Sequence, residues 1–440
     1  MKLRVFQSDK GDCLLLTDRA ERCRMLIDGG MRQSYRQFVA PALGELAAAG
    51  KPLDVVCVSH IDQDHIAGVL QMFDDAVAWK VHDFQLRHDN PTHPEPESPR
   101  PPKVNEVWHN AFHEQLEANA GPVGSLLAAG AAVFSGVGEE TDLLGIGLAQ
   151  GELATSIPEA IRLSRRLSAE QLNVPLNQRF GGKLAFVRTD APPPSPIRMG
   201  RLKLSVIGPF DKDIDELRRN WNTWLAENQA ILNEISRQGK RDAERLGTSD
   251  VQVLLERQIA LAKELGDRTK VTPPNLASLM LLVEEGKKRL LLTGDGHSAD
   301  ILKGLAFHRK LDADGRLHVN VLKVQHHGSE HNIDAEFVSK ITADHYVFCG
   351  NGEHQNPDLR VVDLILNSRL GEGPGRSRHP RADDSFTCWF NSSAEATRRQ
   401  PAKDHMRELA AHLTRRSTDS GGRLNVKFLT KDEPSFELII

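Results

Sequence analysis

Apolar residues near the start of the chain come in short runs broken by polar, glycine-bearing turns, the punctuation of strands. Residues 3–6, 13–17 and 24–27 read as strands. Residues 35–49 read as a helix, with Phe38, Leu43 and Leu46 on one face and Gly50 as the stop. Residues 53–59 read as a buried strand, β-branched at Val55, Val56 and Val58 and opened by Lys51-Pro52. Residues 90–102 carry too many prolines for a helix or a central strand and form a surface loop, either beside the pocket or a mere connection. Residues 104–110 are a further strand ending in His109-Asn110.

The middle has a different rhythm. Residues 156–172 read as one or two helices, and a proline cluster at 191–196 precedes a strand at 202–207. From Ile214, Leu217, Trp221, Trp224, Leu225, Ile231, Leu232 and Ile235 recur at helical spacing, and 251–265 is a second helical stretch. Interleaved acidic and basic residues suit solvated helix faces, so 135–275 includes a helical insertion, a lid or an arm. Trp221 and Trp224 are packing residues or base-stacking ones. Strands resume at 277–283, 289–292, 319–324 and 346–349, with Ser298 as N-cap of a helix to 305. The extension 371–440 opens rich in Arg and Gly and turns helical around 405–413; it completes or decorates the fold.

Composition narrows the class. The chain has 440 residues, enough for a large core, and a net charge of -4 that advertises neither nucleic acid nor an anionic membrane. Aromatics at 5% argue against rows of base-stacking platforms. The five cysteines form no Cys-x-x-Cys and read as reduced thiols of a cytoplasmic protein. The start reads as a strand, not a signal peptide, and no apolar run reaches the roughly 20 residues that span a bilayer, so no membrane association is expected.

The chemistry concentrates in His60-Ile-Asp62-Gln-Asp64-His65, directly after the strand at 53–59. A loop leaving a rigid strand can aim several short donors at one point, and imidazole plus carboxylate suits zinc, manganese or iron(II). The plain alternative is a charged surface loop. Partners recur downstream: Leu26-Ile-Asp28-Gly29-Gly30, Leu291-Leu-Thr-Gly-Asp295 and Val321-Leu-Lys-Val-Gln-His326-His327-Gly328-Ser329.

These four stretches, in this order, resemble the metallo-β-lactamase-fold superfamily, whose His-x-His-x-Asp-His signature is matched with Asp62 in place of the second histidine. The form with His-His-Gly-Ser most resembles the soluble hydrolase domain of ComEC-type DNA-uptake proteins; the membrane channel of that family is absent here. The likeness covers roughly 1–135 and 180–360. It implies a single α/β domain over 1–440, a four-layered αββα sandwich carrying the helical insertion.

The resemblance also implies a metal site. His60 and His109 would hold one metal, with His113 a neighbour of the latter, and Asp64, His65 and His326 the other, with Asp295 bridging. Asp62 takes a first-site position, where a carboxylate favours manganese or magnesium over zinc or leaves a one-metal enzyme. Asp28 orients a ligand histidine. Asp64, His327 and His354 are the candidate catalytic groups, with Lys323, Ser329 and His331 near substrate. One or two divalent ions (zinc or manganese, magnesium as a further option) are expected.

The expected function is a metal-dependent hydrolase using a metal-bound hydroxide, a phosphodiesterase or nuclease acting on nucleic acid or a nucleotide. The alternatives are a hydrolase of small esters, thioesters or lactams, and a metal-stabilised interaction module with a protein partner on the helical insertion. The oligomeric state is open.

Overall fold

The computed structural model describes residues 1–88, 90–110, 162–163, 166–169, 171–211 and 278–440. Strands β1 (Lys2–Phe6), β2 (Leu14–Thr17), β3 (Arg24–Ile27), β4 (Val55–Val58) and β5 (Val107–His109) form one sheet. It is completed by the last strand, β14 (Ser435–Ile439), so that its order is β14-β1-β2-β3-β4-β5. Pairing is antiparallel from β14 to β3 and parallel from β3 to β5.

A second, eight-stranded sheet runs β13-β12-β11-β10-β9-β8-β7-β6. Its members are β6 (Ile197–Met199), β7 (Leu202–Gly208), β8 (Met280–Glu285), β9 (Lys288–Leu292), β10 (Leu317–Lys323), β11 (Ile341–Phe348), β12 (Phe386–Phe390) and β13 (Leu424–Phe428). From β9 to β13 the strands are parallel. The extension 371–440 thus contributes strands to both sheets.

Helices cover the outer faces: α1 (Ala40–Ala48) and α2 (Gln63–Arg87) on the first sheet, and α3 (Ser298–Phe307), α4 (Ala335–Lys340), α5 (Leu359–Leu370) and α6 (Gln400–Asp419) on the second. Three apolar cores separate the four layers. Leu14, Leu16, Met25, Ile27, Val55 and Cys57 meet Leu281, Val283, Leu290, Leu292 and Val321 between the sheets. Leu26, Val56 and Val58 point the other way, onto Leu43, Ile66, Leu70 and Phe73. Leu291 and Leu322 pack on Ile301, Leu305, Phe337 and Ile365. Strands covered on both faces read as unbroken apolar runs, which is why they stand out in the sequence. The result is an αββα sandwich of the metallo-β-lactamase type.

Several expectations shift. The helix read at 35–49 starts earlier, with a turn at Arg32–Ser34 and a π turn at Tyr35–Val39 before α1. The N-cap of α3 is His297, whose side chain accepts from the Ala299 amide, and not Ser298. The helices read at 214–235 and 251–265, Trp221 and Trp224, and His113 lie outside the described residues. Within the insertion read at 135–275, the described residues include β6 and β7, which are sheet. No described helix is long and apolar enough to cross a membrane.

Candidate metal centre

The centre lies where the C-terminal ends of β4, β9 and β10 come together with the start of α2. Strand β4 delivers Ser59 and His60, and α2 begins at once, with Asp62 as its N-cap. The Asp62 side chain makes no capping hydrogen bond; it turns to His60, its Oδ2 3.5 Å from His60 Nε2. Asp64 and His65 occupy the first turn, where the positive end of the helix favours a carboxylate.

Docking of that turn depends on two glycines. The Gly29 amide donates to the His65 carbonyl (2.9 Å) and the Gly68 amide to the Gly30 carbonyl (2.9 Å). A Cβ on Gly68 would lie 1.9 Å from the Gly29 oxygen, so no larger residue lets α2 come this close.

Asp295, at the end of β9, is the hub. Its Oδ2 lies 3.4 Å from His60 Nε2 and 3.7 Å from the Nε2 atoms of both His326 and His327, and its Oδ1 lies 3.5 Å from His65 Nε2. His327 Nε2 also lies 3.0 Å from Asp64 Oδ2. The open side is formed by Asp62, Asp64 and His326, whose side chains are 20%, 13% and 27% exposed; His60, His65 and Asp295 form the closed floor.

All four imidazoles are held the same way round. The Ser59 hydroxyl donates to Asp28 Oδ2 (2.7 Å) and so can accept from His60 Nδ1 at 3.1 Å. His65 Nδ1 donates to Asp28 Oδ2 (2.9 Å), and His327 Nδ1 to the Cys349 carbonyl (2.8 Å). His326 Nδ1 donates to Asn332 Oδ1 (2.6 Å). With every Nδ1 bound outward, every Nε2 lone pair faces the carboxylates, as an imidazole-ligated metal requires.

The donor chemistry fits a divalent cation. Among the described residues, His60 Nε2, His65 Nε2, His327 Nε2 and Asp295 Oδ1 are buried with no hydrogen-bond partner, a cost the fold would otherwise bear unrelieved. His60, His65 and Asp295 present ligand atoms within 4.8 Å of one another. The charges point the same way. Burial alone would depress the His60 and His327 pKa values, but Asp295 with Asp62, and Asp295 with Asp12 and Asp64, push them well up. His65 rises to about 9, burial and His60 being outweighed by Asp295, Asp64 and Asp28. Asp64 and Asp295 are lowered despite burial by the imidazoles around them. A pocket that draws protons onto its histidines this strongly is short of positive charge.

A second donor group, Asp12 with His65 and His327, is the rear of the same centre. Asp12 approaches both rings from the Nδ1 side, at 4.0 Å and 3.2 Å, and a cation already sits there: Lys323 is ion-paired to Asp12 Oδ2. Burial works against the Asp12 carboxylate, yet Lys323, His327 and His65 hold its pKa at about 2. Lys323 Nζ also donates to the Gly294 carbonyl at 3.2 Å and is fully buried, so the expectation that it contacts substrate is overturned.

The structure therefore brings His60, Asp62, Asp64, His65, Asp295, His326 and His327 into one cluster. His109 ends β5, buried beside Val58, and falls in neither donor group. His354 stands exposed in a 3₁₀ turn, Glu353–Gln355, in the loop after β11. Asp12 and Asn332 contribute without a sequence expectation. Asp12 carried a usable signal, a carboxylate abutting an apolar strand just as Asp28 does; Asn332 carried none.

Residues 9–153 match the family model of the metallo-beta-lactamase superfamily. The match takes in β2 to β5, Asp28 and the His60–His65 segment. No curated protein and no solved structure matches the chain.

Proposed function

We propose that this protein is a metal-dependent hydrolase of phosphodiesters, a nuclease or phosphodiesterase acting on nucleic acid or a nucleotide. The observation that carries the reading is Asp62, a carboxylate on the open side facing His60 where the resemblance expects a histidine. With Asp62, Asp64 and Asp295 beside the four imidazoles, the donor set is harder than an all-histidine one, which shifts its preference toward manganese or magnesium. A divalent cation held by His60, His65 and Asp295 would supply Lewis acidity toward a phosphoryl oxygen and toward water.

The chain's own residues do the rest. His60, His65 and Asp295 form a rigid floor, while Asp62, Asp64 and His326 border the place where a scissile group arrives. Asp64 Oδ2, 3.0 Å from His327 Nε2, is placed to accept a hydrogen bond from the attacking water and orient it. The five buried free thiols suit a reducing compartment, and we assign the protein to the cytoplasm.

The test uses metal-stripped protein reconstituted with manganese, magnesium or zinc. Substrates are bis-p-nitrophenyl phosphate, single- and double-stranded DNA, RNA, a chromogenic lactam and a thioester. Manganese is expected to support phosphodiester cleavage better than zinc, and EDTA to abolish it. Lactam or thioester hydrolysis with no phosphodiesterase activity under any metal would overturn the proposal.

A further inference from the structure

We propose that Asn332 is a positioning residue that makes His326 a metal ligand by fixing its tautomer and tying it to the Asp295 loop. The inference rests on the metal-centre reading and is independent of substrate.

The amide of Asn332 has only one workable orientation. Its Nδ2 donates to the Asp295 carbonyl at 2.8 Å, and a carbonyl can only accept. Its Oδ1 therefore faces His326 Nδ1, 2.6 Å away, and Oδ1 can only accept. The proton of a neutral His326 must then reside on Nδ1, which leaves the Nε2 lone pair directed at Asp295 Oδ2. One side chain thus reads out the backbone of one donor and sets the protonation of another.

Asn332 is itself held. Its carbonyl accepts from the Ser298 amide (3.0 Å) and hydroxyl (2.9 Å), which pins it to the first turn of α3. The clamp is needed because His326 and His327 are both left-handed, at φ 45° and 55°, a conformation that non-glycine residues adopt only when neighbours over-determine it. His326 is also the most exposed of the four imidazoles, so packing alone fixes it least.

A purely structural Asn332 and a positioning one make different predictions. Asn332→Asp keeps the acceptor for His326 and loses the donor to the Asp295 carbonyl. Asn332→Leu and Asn332→Ala lose both, one filling the space and the other leaving a cavity, so that one serves if the other does not fold. Zinc or manganese affinity is measured by competition with a chromophoric chelator, alongside urea unfolding of the metal-free proteins.

The Leu and Ala variants are expected to bind metal roughly 10–100-fold more weakly, the usual effect of removing a partner of a ligand histidine. Asn332→Asp is expected to stay within a few-fold of wild type even though its metal-free fold is weakened. In a His326→Ala background, Asn332→Ala should produce no further loss of affinity. Affinity that follows stability across the three variants, or additive losses with His326→Ala, would overturn the inference. Wild-type protein that binds neither metal would instead overturn the metal-centre reading itself.

Discussion

Lys323 and Asp12 form an ion pair that neither solvent nor substrate reaches, each side chain only 1% exposed, directly behind the imidazoles of His65 and His327. Removing the ammonium leaves a buried carboxylate uncompensated. Lys323→Met should therefore cost about 3–5 kcal/mol of folding free energy, and Lys323→Met with Asp12→Asn should recover most of it. Urea unfolding at neutral pH is the measurement. A single variant as stable as the wild type would show that Asp12 does not depend on Lys323.

The metal-free protein should lose stability as the pH rises. His65 has its pKa raised from 6.5 to about 9 in the fold. A raised folded value means that protonation favours the folded state. The contribution is present in full below about 6.5 and is lost as the pH climbs through about 9. It amounts to roughly 3 kcal/mol for this one group. Metal-loaded protein should show the opposite trend at the low end, because protons compete with the metal for the same nitrogen atoms. Melting curves of EDTA-treated and metal-loaded samples between pH 6 and 9.5 separate the two. A flat curve for the stripped protein would contradict the charge balance described above.

Asp64→Ala and His65→Ala should abolish hydrolysis while the layers still assemble on their three apolar cores, His65→Ala forfeiting the stabilisation described above. Asp295→Asn should do the same and should also lower the metal content, because Asp295 faces all four imidazoles. Circular dichroism and elemental analysis accompany the assay. Full activity in metal-loaded Asp64→Ala protein would exclude the proposed role of Asp64.

Gly68→Ala tests whether the approach of α2 to the loop at 28–30 sets the geometry. The added Cβ collides with backbone, which has no soft direction in which to yield. A loss of about 1–3 kcal/mol is expected, with weaker metal binding because Asp64 and His65 sit on the displaced turn. Gly50→Ala is a useful contrast: its Cβ meets nothing, although its φ of 65° still adds local strain.

The strands of both sheets near the centre were legible because burial on two faces leaves unbroken apolar runs such as those at Val55–Val58 and Leu290–Leu292. The donors His60 to His65, Asp295 and His326 stand at strand ends, so sequence motif and structural position coincide. Helix α2 escaped notice. Its first half is buried nearly all round, from His65 to Phe73, and its second half is largely polar, so no single apolar stripe marks it. Strands β12, β13 and β14 are short and isolated by loops and a helix, and their pairing is set by distant partners. Asp12 and Asn332 illustrate the same limit. Asp12 meets Lys323 and His327 only after the two sheets have come together, and Asn332 ties the ends of β9 and β10 to the first turn of α3; no local pattern encodes either set of contacts.

The pairing of β1 with β14 joins strands far apart in sequence, reaching a contact between Met1 and the Ile440 carbonyl, 439 positions apart. Strand β1 therefore waits for β14, made much later in the chain, to cover its open edge. Until then it offers an apolar, unpaired margin to any neighbouring chain. Such long-range closure makes for slow folding and a window of vulnerability to aggregation, so loss of β14 alone should harm solubility out of proportion to its length.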